Sequence, residues 1–195
     1  MRHEAATIIR DEHRSLGAVV HAMQFLLREI RDRGHAPDYR LLHAMLYYIR
    51  EFPERLHHPK EDQHLFAALK RRTHETDAVI AELEREHAQG ESLLNDLTVA
   101  LSVYEAGVQN GLERFAASVE KFADFYWQHM QKEEDRVLPV AERVLTDEDW
   151  RDIHAAFSAN RDPNYAADSE EEFRRLFTRI VNLAPAPIGL GAAQG

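Results

Sequence analysis

Six ionisable side chains stand where a helical protein places its core. His13, His87 and His129 fall on apolar stripes of helical period, and with His57, Glu61 and Glu133 they form a pattern that occurs twice, a histidine followed by His-x-x-x-Glu. His13 precedes His57 by 44 residues, His87 precedes His129 by 42, and Glu61 and Glu133 lie 72 apart. One histidine on an apolar stripe is ordinarily a satisfied core residue. Four of them with two carboxylates at matched offsets are not, because unpaired ionised acids are costly inside a bundle and a multivalent cation supplies the missing charge. A His and a Glu four residues apart share a helix face. Two such pairs, plus one histidine from each remaining helix, make a pseudo-twofold set suited to two metal ions, each with two histidines, joined by both glutamates.

Periodicity supplies the scaffold. Leu16, Val20, Met23, Leu27 and Ile30 continue the stripe that starts at His13 and predict a first helix ending near Gly34, before Pro37. A second helix from Asp38 carries Leu42, Leu46, Ile49 and Phe52, then meets Pro53 and Pro59, which remove backbone donors and kink or restart it. The third runs from about Glu75 to Ala106 through Ile80, Leu83, His87, Leu94, Leu97 and Leu101. After the Gly107 to Gly111 break, the fourth aligns Leu112, Phe115, Val119, Phe122, Tyr126, His129, Glu133, Val137 and Val140. Four long amphipathic helices with short connections predict an all-α, antiparallel up-down four-helix bundle with its site in the core. Thr146 before Asp147, Glu148 and Asp149, and Ser169 before three glutamates, are N-cap signals for short additional C-terminal helices. The expected domain spans 1–184, with its core at about 8–145 and a mobile Pro, Gly and Ala tail at 185–195.

Composition narrows the chemistry. The 195 residues fit one domain. With no cysteine there are no disulfides, thiolate zinc sites, iron-sulfur clusters or thiol nucleophiles, so a metal here is held by nitrogen and oxygen. No apolar run reaches membrane-span length, and Met1 to Arg10 has no apolar leader core, so a soluble cytoplasmic protein is expected. A net charge of −10 disfavours nucleic-acid and anionic-membrane partners.

His58 and Asp62 share the spacing of His57 and Glu61, but at about 100° per residue His57 and Glu61 lie nearer the stripe of Leu46, Ile49 and Leu56. His57 therefore ranks first, and His64 is a substitute if Pro59 shifts the register. His21 has no matching acid. Glu91 is placed either to hydrogen bond an imidazole or in solvent, and Tyr126 is a core tyrosine or a group beside His129. Imidazole and carboxylate together permit iron, manganese or zinc.

These residues resemble the hemerythrin-like, or HHE cation-binding, family over about residues 8–145. The segment Phe52-Pro53-Glu54-Arg55-Leu56-His57-His58-Pro59-Lys60-Glu61-Asp62 is similar to its second-helix signature. The resemblance implies a four-helix bundle holding two iron ions in a non-haem centre, with manganese or zinc less favoured. Oxygen-carrying members show His-x-x-x-His on the third helix and His-x-x-x-x-Asp on the fourth. Here Leu83 and Glu91 flank His87, and His129-x-x-x-Glu133 follows, one histidine short of that set. The pattern is more similar to bacterial di-iron proteins implicated in repair of iron centres under nitrosative or oxidative stress. The expected function is a di-iron protein that meets oxygen, peroxide or nitric oxide. The competing expectations are an oxygen or redox sensor, an iron store or donor acting through a protein partner, and a metal-free helical interaction module.

Overall fold

The computed structural model describes residues 2–159 together with Thr178 and Ile180. The expected Ser169 cap and the 185–195 tail lie outside these residues. Among residues 2–159 five helical rods follow in order: α1 (Arg2–Arg33), α2 (39–72), α3 (Asp77–Glu105), α4 (111–144) and α5 (Asp147–Ser158). Among the described residues there is no strand, and no helix is long and apolar enough to cross a membrane. Asp38 caps α2 by accepting from the backbone N–H of Leu41 at 3.1 Å. Gly34 and Gly107 take positive φ where α1 and α3 stop, the left-handed geometry that a side chain disfavours.

The four long rods pack antiparallel, as the cross-links between them show. Arg50 meets Asn95 and His43 meets Glu105 between α2 and α3. Arg10 meets Glu142 and Gln24 meets Glu120 between α1 and α4. The interior divides into two apolar clusters. One gathers Leu16 to Leu27, Leu41 to Ile49, Leu93 to Leu101 and Phe115 to Met130. The other gathers Ala5 to Ile9, Leu65 to Leu69, Val79 to Leu83 and Val137 to Leu145, with Trp150, Ile153 and Phe157 of α5 closing that end. Each long rod crosses from one cluster to the other at its sequence-marked residue: His13, His57 with Glu61, His87, and His129 with Glu133. The polar layer is thus sealed by hydrocarbon on both sides.

The proline-rich stretch of α2 neither breaks nor simply kinks. Arg50–His57 and Glu61–Phe66 are π-helical, with α-helical His58–Lys60 between them, and Glu133–Val137 of α4 is π-helical before Pro139. A proline strips the donor from the carbonyl four residues earlier and collides with it. For Pro53, Pro59 and Pro139 those carbonyls belong to Ile49, Arg55 and Asp135, at or inside π-helical turns. A wider i→i+5 turn relieves the collision without ending the rod. α5 begins with a reciprocal capping box: Thr146 Oγ1 accepts from the Asp149 N–H, and Asp149 Oδ2 accepts from the Thr146 N–H. Arg72 clamps the Asp149 carboxylate at 2.8 Å, tying the end of α2 to this cap.

Candidate metal centre

All six sequence-marked residues converge in the polar layer, and a seventh joins them. Two groups have donor atoms mutually within 4.8 Å: His13, His57, Glu61 and Glu133, and His58, His87, His129 and Glu61. His58 is the residue that α-helical angles place off the stripe. A π-helical turn advances by a smaller angle per residue, so consecutive His57 and His58 both face inward, at 2% and 4% exposure. Five histidines therefore stand in the layer, the four of the sequence reading and His58, which comes from α2. His64 is half-buried, His21 is exposed, and neither belongs to the two groups.

The two glutamates divide their oxygens between the groups. Glu61 turns Oε1 toward His57 Nε2 at 3.2 Å and His13 Nε2 at 3.7 Å, and Oε2 toward His87 Nε2 at 3.6 Å. Glu133 turns Oε2 toward His13 Nε2 at 3.2 Å, and Oε1 toward His129 Nε2 at 3.3 Å and His87 Nε2 at 3.7 Å. All four carboxylate oxygens are buried without a hydrogen-bond partner, as are Nε2 of His87 and of His129. Six such orphans in one layer would be a heavy penalty for a packed core, whereas a cation satisfies all of them. His13 Nε2 and His57 Nε2 lie 3.1 Å apart. Two nitrogens at right angles, each about 2.1 Å from one ion, are separated by about 3 Å.

Behind the imidazoles stands a ring of acids absent from the sequence expectation. Glu12 meets His57 Nδ1 at 2.7 Å, Asp62 meets His87 Nδ1 at 2.9 Å, Glu86 meets His129 Nδ1 at 3.0 Å, and Glu134 meets His13 Nδ1 at 2.9 Å. Each acid adjoins a marked residue in sequence but serves the next rod, so the links run α1 to α2, α2 to α3, α3 to α4 and α4 back to α1. An imidazole whose Nδ1–H is held by a carboxylate offers its Nε2 lone pair inward, the arrangement found behind metal-bound histidines. The ring obeys the same pseudo-twofold as the sequence. His58 breaks it, since its counterpart on α4 is Met130. The acid nearest to His58, Glu54, is 3.5 Å from Nδ1 and accepts a short hydrogen bond from Tyr126 instead. Gly90 leaves room for that pair, because a Cβ there would lie 2.8 Å from Glu54 Oε1 and 3.0 Å from the Tyr126 hydroxyl. Tyr126 also packs its ring near His58 and His129, with centroids 6.0 and 6.2 Å away.

Burial alone would discharge these imidazoles, yet the carboxylates prevail for three of them. Against burial, the nearby carboxylates of Glu133, Glu134 and Glu61 raise His13 well above its ordinary value. Glu61 and Glu12 bring His57 up to about 9, and Asp62, Glu133 and Glu61 bring His87 up to about 12. Burial pushes Glu61 and Glu133 up, but the facing histidines hold both below the usual carboxylate range. His58 goes the other way, well below its ordinary value, through burial and the neighbouring His87, His129 and His57. Burial lifts Glu54 to about 7. Protons thus neutralise the layer when no cation does, and cation uptake displaces them.

No curated protein and no solved structure gives a match to this chain. The hemerythrin HHE cation-binding domain model matches residues 4–141, a span that contains all four long rods' contributions to the layer. With that span and the convergent His and Glu donors, the chain belongs to the hemerythrin HHE cation-binding domain family.

Proposed function

We propose that this protein holds a non-haem di-iron centre that binds or reacts with molecular oxygen, peroxide or nitric oxide. The observation that carries this reading is the division of the Glu61 and Glu133 oxygens between two histidine groups. In it both glutamates would be shared between two ions, His13 and His57 would hold one, and His58, His87 and His129 would hold the other. Nitrogen and oxygen donors without thiolate suit iron, manganese or zinc. The five donors on the His58 side exceed what a four-coordinate zinc site takes, which favours iron. When bound, iron supplies redox chemistry and affinity for small diatomic ligands.

The chain's own residues do the rest. The His13 side would offer four protein donors and the His58 side five, counting Glu61 and Glu133 on both. The acid ring fixes imidazole tautomers and raises their basicity. Phe157 sets its ring edge-on to His57 at 5.8 Å, and Phe66 stacks on one face of His87 at 5.7 Å, so hydrocarbon covers one side of each of these imidazoles. Reaction with peroxide or nitric oxide would place the protein in the response to oxidative or nitrosative stress. The test is to load the protein with ferrous iron under anaerobic conditions and add oxygen, peroxide and nitric oxide in turn. A new absorption band with at least one of them is expected. Inertness to all three overturns the redox reading and leaves storage or structure.

A further inference from the structure

We infer that the cleft between α2 and α3 is the path by which a divalent cation enters the centre, and that His58 is the donor that closes behind it. The inference rests on the metal-binding reading above. A cation needs such a path, because the layer is sealed by the two apolar clusters and its donors are almost fully covered. Among them His87 is the most exposed, at 8%. A cleft of about 560 Å³ reaches His87 and His58 from solvent.

The charge of this cleft suits a cation. Its lining carries the carboxylates of Asp62, Glu84 and Glu91, with the buried acid Glu54 below them, against two guanidiniums, Arg50 and Arg55. Both guanidiniums are engaged by groups outside the lining, Arg50 with Asn95 at 2.9 Å and Arg55 with Glu51 at 2.8 Å. Glu84 is shared with Lys70 at 2.6 Å, while Glu91 stands exposed at the rim. Inward from the rim come Asp62, behind His87, and Glu54, beside His58. An acidic mouth of low-dielectric walls concentrates cations and raises their entry rate.

A second, independent feature points to the same place. His58 is buried, and its Nδ1, directed at the lining residue Glu54, has no hydrogen-bond partner. The other four imidazoles are each held by an acid at 2.7 to 3.0 Å. The one untethered donor of the set therefore stands in the wall of this acidic cleft, stacked on His87 with centroids 4.3 Å apart. A ring without an outer tether is free to swing aside for an incoming ion and return once the ion is seated.

Loading kinetics test this without reference to any activity. The full chain is stripped with a chelator, and Co²⁺ uptake is followed by stopped-flow absorption in wild type, in the double variant Glu84→Gln/Glu91→Gln, in Ala88→Trp, which fills the cleft from its exposed wall, and in the control Glu113→Gln. None of these positions is a donor. The double variant is expected to load about 3- to 10-fold more slowly at low ionic strength, with the difference shrinking as salt screens the mouth. Ala88→Trp should load slowly at every salt concentration, the control should load like wild type, and all should reach the same final stoichiometry. Wild-type loading rates in both cleft variants would overturn the path, as would a loss of final stoichiometry matching the loss of rate. Failure of wild type to take up Co²⁺ at all would instead overturn the metal reading on which the path rests.

Discussion

Replacing Glu12 with alanine isolates the contribution of the acid ring. Its carboxylate receives Nδ1–H of His57 at 2.7 Å, the shortest link of the ring, and both partners are buried. Without it, His57 loses the charge that makes Nε2 a stronger donor and the contact that holds the ring in its inward orientation. Loss of such a partner costs about 10- to 100-fold in metal affinity, or about 1.4 to 2.7 kcal/mol. Glu12→Gln keeps an acceptor and loses only the charge, so it should fall at the small end of that range. Glu54→Ala provides the internal comparison. Glu54 lies 3.5 Å from His58 and is occupied by Tyr126, so its removal should weaken binding by less than about tenfold. The assay is competition against a chelator of known affinity with Zn²⁺ or Co²⁺ at fixed pH, with circular dichroism to verify the fold. Wild-type affinity in Glu12→Ala, or a larger loss in Glu54→Ala than in Glu12→Ala, would refute the ring as the element that orients the donors.

The pH dependence of stability should be steeper in chelator-treated than in metal-loaded protein above about pH 6.5. Raised His13, His57 and His87 contribute stability that is fully present below about 6.5 and lost as pH rises, for His57 through about 9. Lowered Glu61 and Glu133 contribute stability present above about 4.5 and lost on acidification, and neutral His58 trims the acid side further. The Tm of chelator-treated protein should therefore fall from pH 6.5 toward 9, while the increment in Tm from added metal grows over the same range. A metal increment independent of pH would contradict proton displacement. Gly90→Ala sets helix propensity against packing. Alanine gains about 1 kcal/mol in a helix interior, but its Cβ would displace the Glu54–Tyr126 pair from a buried site, at about 1 to 3 kcal/mol. Net destabilisation in chemical denaturation is expected, and a stabilised variant would show that the pair relaxes freely.

Most of the scaffold was legible because it rests on local rules. Stripes of period 3.6, the Asp38 and Thr146 caps and the Gly34 and Gly107 stops each act within a turn or two of chain, and the structure has α2, α5 and the ends of α1 and α3 where they predict them. His58 was not legible, because the helical wheel assumes one angle per residue and the π-helical turns change it. Pro53 and Pro59 carried the signal, but read as interruptions they suggested a kink or restart where the rod widens instead, and Pro139 was not read as a signal at all. The acid ring was hidden for a different reason. Glu12, Asp62, Glu86 and Glu134 each adjoin a marked residue, which makes them look like solvated neighbours on the same helix. Their partners lie on the next rod, so the ring exists only once the order of packing is known. The cleft at His58 is likewise a product of packing between α2 and α3, and Glu91 gains a place in it only there.

The most direct test of the two-ion centre is the metal content per chain after anaerobic reconstitution with ferrous iron and removal of loosely bound ions, measured by elemental analysis against protein concentration. Two ions bridged by Glu61 and Glu133 predict two irons per chain in wild type, and joint loss of both in Glu133→Gln, because each ion depends on an oxygen of that side chain. A saturated wild type holding one iron, or a Glu133→Gln variant that keeps one iron at full affinity, would contradict it.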